Sequence, residues 1–330
     1  MGFSLAGSTA NAQDISVTWN NAPKGVDTAS LEAGLKGSIG SEFALEGMND
    51  LLSSMANAAA ISSSGIGVDY VSNPRVFVFG ASMGAAGDGI GFPPDAGDDA
   101  MPSAGFASTA SMMVGANLGA LTLGKGPLAR FRVYAHGLTR TTGLAGGLET
   151  RLDNYGGHVQ VAAIKPRRLG LGTLEWGGLS FTTGYEKTIV GLSLSSDEAL
   201  NISTEVEGME IGWDAKGTVD VTSTVHTIPF EVSTNLRVLM VAIYGGAAFD
   251  ITPSDATAAL SLSGPISITG ENGPIGNAEF TLDRSATGAP SQQRLFAGAQ
   301  LDLPILKLYS QANLGLNGTS GFHMGVRASF

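Results

Sequence analysis

The sequence predicts an all-β fold: a transmembrane antiparallel β-barrel of about 12 strands, within a range of about 10–14, preceded by a short N-terminal helical segment. Three observations lead there. Of the 330 residues, 47 are Gly and 14% are charged, with no Cys and a net charge of −11. That balance is unusual for a soluble α/β enzyme of this size. From Gly65 onward apolar and polar residues alternate with period two, broken by Gly, Pro, Asn and Asp, as strands and turns require. The last strand keeps alternating to its final residue, Phe330.

Composition also excludes. The longest apolar run, 236–249, contains Arg237 and is too short for a membrane helix, but it suffices for a tilted membrane strand of about 9–11 residues. Without Cys there are no disulfides, thiolate metal sites or thiol catalysis. The acidic balance argues against a nucleic-acid partner. No cofactor and no enzymatic activity are expected.

Residues 1–24 read as a signal-peptide remnant and leader. Small residues lead to Ala10 and Ala12, a cleavage pattern that places the mature start at Gln13. Residues 25–65 form the helical segment, expected as a plug in the lumen or a periplasmic element. Leu45, Met48, Leu52, Met55 and Ala59 recur at spacings of three and four, with Ser41 as a cap. A shorter helix covers 28–36. Residues 66–330 are assigned to the barrel, with strands at 75–83, 106–121, 157–164, 178–194, 203–213, 233–249, 259–269 and 276–283, besides those described next.

In the last strand Phe322, Met324, Val326, Ala328 and Phe330 share one face, and His323 and Arg327 lie on the other. Successive side chains point to opposite faces of a strand, so one face suits lipid and the other water. The preceding strand repeats this, with Leu306, Leu308, Ala312 and Leu314 opposing Lys307, Tyr309, Gln311 and Asn313, and Asn317-Gly318-Thr319 supplies the turn. Phe131, Val133 and Ala135 oppose Arg130, Arg132 and His136. Val219, Val221 and Val225 oppose Asp220, Thr222, Thr224 and His226, and Leu295 and Leu301 oppose Arg294 and Asp302. Segment 233–249 is apolar on both faces, with Leu239, Val241 and Ile243 expected toward the lumen and against the helix.

The alternating segment from Phe322 to Phe330, with its terminal aromatic, resembles the C-terminal signal of bacterial outer-membrane proteins. The resemblance implies a bacterial outer-membrane location in a Gram-negative-type envelope, contact with outer-membrane lipids and recognition by the barrel assembly machinery. An N-terminal helical segment before a barrel is similar to the porin-like and long-chain fatty-acid transporter (FadL-like) groups, as is 301–309 to their final periplasmic turn. Some porin-like relatives form lipid-enclosing oligomers.

With Phe330 at the periplasmic rim, 317–320 and the Asp-rich segment 85–104 lie outside the cell, and Lys165, Arg167 and Arg168 face periplasmic head groups. The lumen is expected to carry Arg130, Arg132, His136, Arg237, Arg294, Lys307 and Arg327. These either favour anions or pair with Glu186, Asp220 and Asp302 in a filled interior.

Other motifs are weaker. Gly80-Ala81-Ser82-Met83-Gly84 matches a nucleophile elbow, but Gly and Pro follow where a helix should start. The four histidines, His136, His158, His226 and His323, show no metal spacing. Asp95, Asp98 and Asp99 are a weak Ca²⁺ candidate without a known loop pattern. The function expected is a porin-like conduit for small or amphipathic solutes, partly occluded by residues 25–62. The alternative is a closed structural barrel that forms homo-oligomers and contacts or encloses lipid.

Overall fold

A computed structural model describes residues 12–20, 28–42, 47–71, 76–89, 104–121, 125–169, 173–206, 208–269 and 273–330. In chain order the strands are β1 (Ala12–Trp19), β2 (Phe77–Asp88), β3 (Gly105–Asn117), β4 (Phe131–Gly143), β5 (Leu148–Ile164), β6 (Arg167–Leu169), β7 (Leu174–Val206), β8 (Met209–Val238), β9 (Val241–Ile251), β10 (Ser254–Ile268), β11 (Gly276–Ala286), β12 (Ser291–Asp302), β13 (Leu306–Gly315) and β14 (Ser320–Ser329). The helices are α1 (Thr28–Glu42), α2 (Met48–Ser63) and the single turn α3 (Leu118–Leu121).

Ten strands close a ring. Each pairs antiparallel with the next in the order β2, β3, β4, β5, β7, β8, β9, β12, β13, β14, and β14 returns to β2. Below the Met112↔Gly137 pair closure leaves no open edge, which a bilayer demands because lipid offers backbone groups no partners. The outer wall carries an exposed apolar belt that includes Phe79, Met112, Phe230, Ile243, Leu314 and Phe322. Phe322, Met324, Val326 and Ala328 of β14, and Phe330 just after it, lie on this outer side, while His323 and Arg327 are buried inside. Hydrogen bonds from the Val76 and Phe77 amides to the Phe330 carbonyl fix the lower rim. The ladder between β3 and β4 is short, running only from Met112↔Gly137 to Asn117↔Arg132.

Two strands are far longer than a bilayer requires. β7 has 33 residues and β8 has 30, about 20 more than a membrane strand needs. Above the ring their upper halves continue as a second sheet, in which β10, β11 and β1 add to β8. Helices α1 and α2 lie on one face of that sheet. Leu31, Leu35, Ile39, Met48 and Leu52 pack on Ile211, Trp213, Leu262, Phe280 and their neighbours, all buried. The result is a two-layer cap on the end of the barrel opposite Phe330. Residues 12–19, read as leader, are a strand of this cap. The lower rim carries the short turns 239–240 and 303–305 and the longer connections 118–130 and 165–173; the cap end carries 89–104, the insertion of β10 and β11 between β9 and β12, and short turns such as 144–147 and 316–319.

Several face assignments change. Segment 233–249 is the end of β8, a turn at Leu239-Met240, and β9. Val241 and Ile243 point outward to the belt, and Ala242 and Tyr244 point in. The turn breaks the alternation, so counting through it inverts the faces. Val219, Val221 and Val225 were expected to face lipid. They point inward toward the helices, and Asp220, Thr222 and Thr224 lie on the opposite face, above the belt. Segments 203–213, 259–269 and 276–283, read as barrel strands, belong wholly or largely to the cap.

Candidate functional site

The inside of the barrel is the candidate site, and the chain itself occupies it. The helix α2 ends at Ser63, and Gly65 (φ +80°) turns the backbone into the lumen. A Cβ there would lie 2.7 Å from the Tyr70 hydroxyl, so the turn needs glycine for both conformation and space. Residues 66–71 then run toward the lower rim, with Ile66, Val68, Asp69, Tyr70 and Val71 all buried.

Each turn of this segment meets inward-facing wall residues. Thr109 Oγ1 donates to the Ser62 carbonyl (2.6 Å) and Ser82 Oγ to the Ile66 carbonyl (3.3 Å). Arg327 on β14 holds the next stretch: Nη1 donates to Asp69 Oδ1 (3.3 Å) and Nη2 to the Val68 carbonyl (2.5 Å). Its guanidinium lies 3.7 Å from the Tyr309 ring centroid, a cation–π contact. Tyr70 packs on Tyr244 and Phe296, with centroids 5.6 and 4.9 Å away, and donates to Glu231 Oε2 at 2.8 Å. Asn235 Nδ2 and Arg237 Nη2 donate to the carbonyls of Tyr70 (2.8 Å) and Val71 (3.0 Å).

The lumenal cations are matched by anions. Arg294 pairs with both Glu231 and Asp250, the latter at 2.7 Å, and donates to Asn313 Oδ1 at 3.0 Å. Arg237 and Lys307 share Asp302 at 2.9 and 3.2 Å. Desolvating such charges is costly, and they persist only when paired and hydrogen-bonded. The filled-interior option therefore describes these contacts better than an anion-selective lining, and of the three expected partners Asp302 takes that role while Asp220 and Glu186 do not. Asp220 sits on the outer face of the cap sheet, and Glu186 meets His158, not an arginine.

Of the residues expected in the lumen, His136, Arg294 and Arg327 are buried there. Arg132 donates to Gln160 at 2.8 Å, and Arg237 and Lys307 lie near the lower rim. Arg130 is not in the lumen. It is exposed in a 3-10 turn, Pro127–Arg130, just before β4, where strand alternation does not apply. In the helix expected to plug the pore, Met48 and Leu52 are buried in the cap and Met55 is half-buried. The C-terminal half of α2 reaches the barrel wall, through the Ser54–Met55 backbone against Gly105, Asn57 Nδ2 donating to Asp88 Oδ2 (2.8 Å), and Ala58–Ile61 against Ala86, Ala107 and Val225. Residues 28–42 and 47–53 lie outside the lumen and pack on the cap sheet, at the barrel end opposite Phe330. Leu45, Asp95, Asp98 and Asp99 lie outside the described residues. Lys165, Arg167 and Arg168 are exposed by the lower rim, and Ser82 lies within β2, not at an elbow.

Sequence reasoning missed Asp69, Tyr70, Glu231 and Asp250. A signal existed for two of them: Glu231 stands between Phe230 and Val232, and Asp250 between Phe249 and Ile251, each a charge flanked by lipid-facing residues. It missed a second cluster too. His136 and His158 stack with centroids 5.3 Å apart and planes 17° apart, and His158 Nε2 lies 3.2 Å from Glu186 Oε1.

A closed strand ring, greasy outside and polar inside, defines an outer-membrane β-barrel. The chain belongs to the Lsa36-like family, whose model matches residues 11–330. No curated protein matches it. Among solved structures it is similar to the outer-membrane protease OmpT of Escherichia coli, with 10% identity, TM-score 0.38, and coverage of 78% of this chain and 98% of that one. The translocator domain of the autotransporter NalP from Neisseria meningitidis shows 12% identity and TM-score 0.34, covering 89% and 98%. A Pseudomonas aeruginosa FadL homologue shows 9% identity and TM-score 0.24, covering 84% and 98%. These overlaps are loose, and the barrel assignment rests on the strand ring and its belt.

Proposed function

We propose that this protein is a closed outer-membrane anchor that holds a folded α/β cap on the external side of a Gram-negative-type envelope. The single observation that carries this reading is residues 64–71 lying in the lumen, tied to the wall through Arg327, Glu231, Asn235 and Arg237. Solute passage along the axis would need that segment to leave and several buried charges to lose their partners. The resemblance of the C-terminal strand to an outer-membrane assembly signal implies a periplasmic Phe330 rim, and the cap, at the opposite end, is then external. The belt contacts outer-membrane lipids, and β14 is the strand that the barrel assembly machinery would read. The role is structural and presenting, without catalysis.

The competing reading is a gated conduit of porin-like type. Planar-bilayer recording separates the two. Wild-type protein should give no stepwise conductance, and a variant lacking residues 28–71 should open steps of porin size. Steady ion flow through the wild-type protein would overturn the closed-anchor reading.

A further inference from the structure

One group of buried polar side chains in the barrel takes no part in holding the lumenal segment. His136 on β4, His158 on β5 and Glu186 on β7 are all buried, and one donor atom from each lies within 4.8 Å of the others. Beyond the 3.2 Å approach of His158 to Glu186, none of their six side-chain N and O atoms makes a hydrogen bond among the described residues. Buried polar groups almost always have partners, and a cluster without them calls for a ligand or ion. Glycines wall the rings. A Cβ at Gly67 would sit 2.0 Å from His136 Nδ1, and one at Gly184 would sit 2.7 Å from His158 Nδ1. Backbone thus covers each Nδ1 side, leaving Nε2 as the freer donor.

We propose that His136, His158 and Glu186 bind one divalent transition-metal ion of the zinc class. Two imidazoles and a carboxylate are a donor set zinc accepts, with water in the fourth position. Calcium and magnesium require oxygen donors and are disfavoured. Donors at zinc bond lengths lie roughly 3.3 Å from one another in a tetrahedron. The His158–Glu186 pair already has that spacing. His136 completes it by turning off its stack on His158.

The position suggests what the ion does. The β3–β4 ladder ends at Met112↔Gly137, one residue above His136. Above that point β4 is held by β5 alone. An ion on the three ligands ties β4 to β5 and β7 just below the fork. Because metal binds the folded site and not the unfolded chain, its binding free energy adds to stability. This inference does not depend on whether the barrel conducts.

The test uses untagged protein in detergent, stripped with a chelator, loaded with ZnCl₂ and desalted. Wild type and the His226→Asn control, altered outside this cluster, should retain close to one zinc per chain. Glu186→Gln and His158→Asn should retain less than a tenth of that, and zinc should raise the unfolding temperature of wild type and the control but not of these two variants. Should the variants misfold, Co²⁺ added to wild type decides: d–d bands of a four- or five-coordinate site support the proposal. Zinc retention far below one per chain in wild type, equal retention by folded Glu186→Gln, or no cobalt bands would overturn it.

Discussion

Compare β8 below Ile228 with β8 above His226. Below, Phe230 and Val232 are exposed on the outer wall while Glu231 and Ser233 are buried inside. Above, the inner face carries Ile211, Trp213 and Ala215, all buried, and the outer face carries Asp214, Lys216, Thr218 and Asp220. The backbone does not bulge between them, and the pleat keeps odd residues inward throughout. What inverts is the medium on each side. In the bilayer the outside is hydrocarbon and the inside polar; above it the outside is water and the inside is helix α1 and α2. A polarity swap along one unbroken strand marks where that strand leaves the membrane.

The largest effect is expected inside the lower half. Glu231→Ala removes one of the carboxylates that neutralise Arg294 and the acceptor of Tyr70, leaving buried groups underpartnered, and should cost about 3–5 kcal/mol. Denaturant unfolding in micelles measures it, and a loss below about 1 kcal/mol would mean that water reaches this lumen.

A smaller and more diagnostic effect comes from the same substitution on the same face of β8, ten residues apart. Val232→Lys puts a cation on the lipid-facing belt and should cost about 2–4 kcal/mol near the bilayer midplane. Thr222→Lys faces water and should change stability by less than about 0.5 kcal/mol. Refolding into lipid vesicles and comparing unfolding midpoints reads both, and equal costs would remove the polarity swap.

Much of the barrel was legible because alternation survives any neighbour. The strands β12, β13 and β14 point as the sequence implied, down to Arg294, Lys307 and Arg327. The cap was not legible, because alternation names two faces without naming the solvent beyond each. Val219 and Val221 look alike whether they meet lipid or helix. Helix α2 was readable from Met48, Leu52 and Met55, but its partner was not. The lumenal segment escaped because Asp69 and Tyr70 sit outside any regular element, where no periodicity reports direction. The triad escaped for a different reason: its members come from three strands, and only the β5 register brings Gly156 between His136 and Glu186.

The most direct measurement exploits a chain with no native Cys. Single cysteines placed at even positions along β8, from Asp214 to Leu236, would be reacted with a membrane-impermeant maleimide on vesicle-inserted protein whose caps face outward. Positions 214–224 should label fast and positions 228–236 hardly at all, with the break close to His226. Uniform labelling along the strand, or a break displaced by a full turn of the barrel wall, would contradict a β8 that passes from lipid to water at that point.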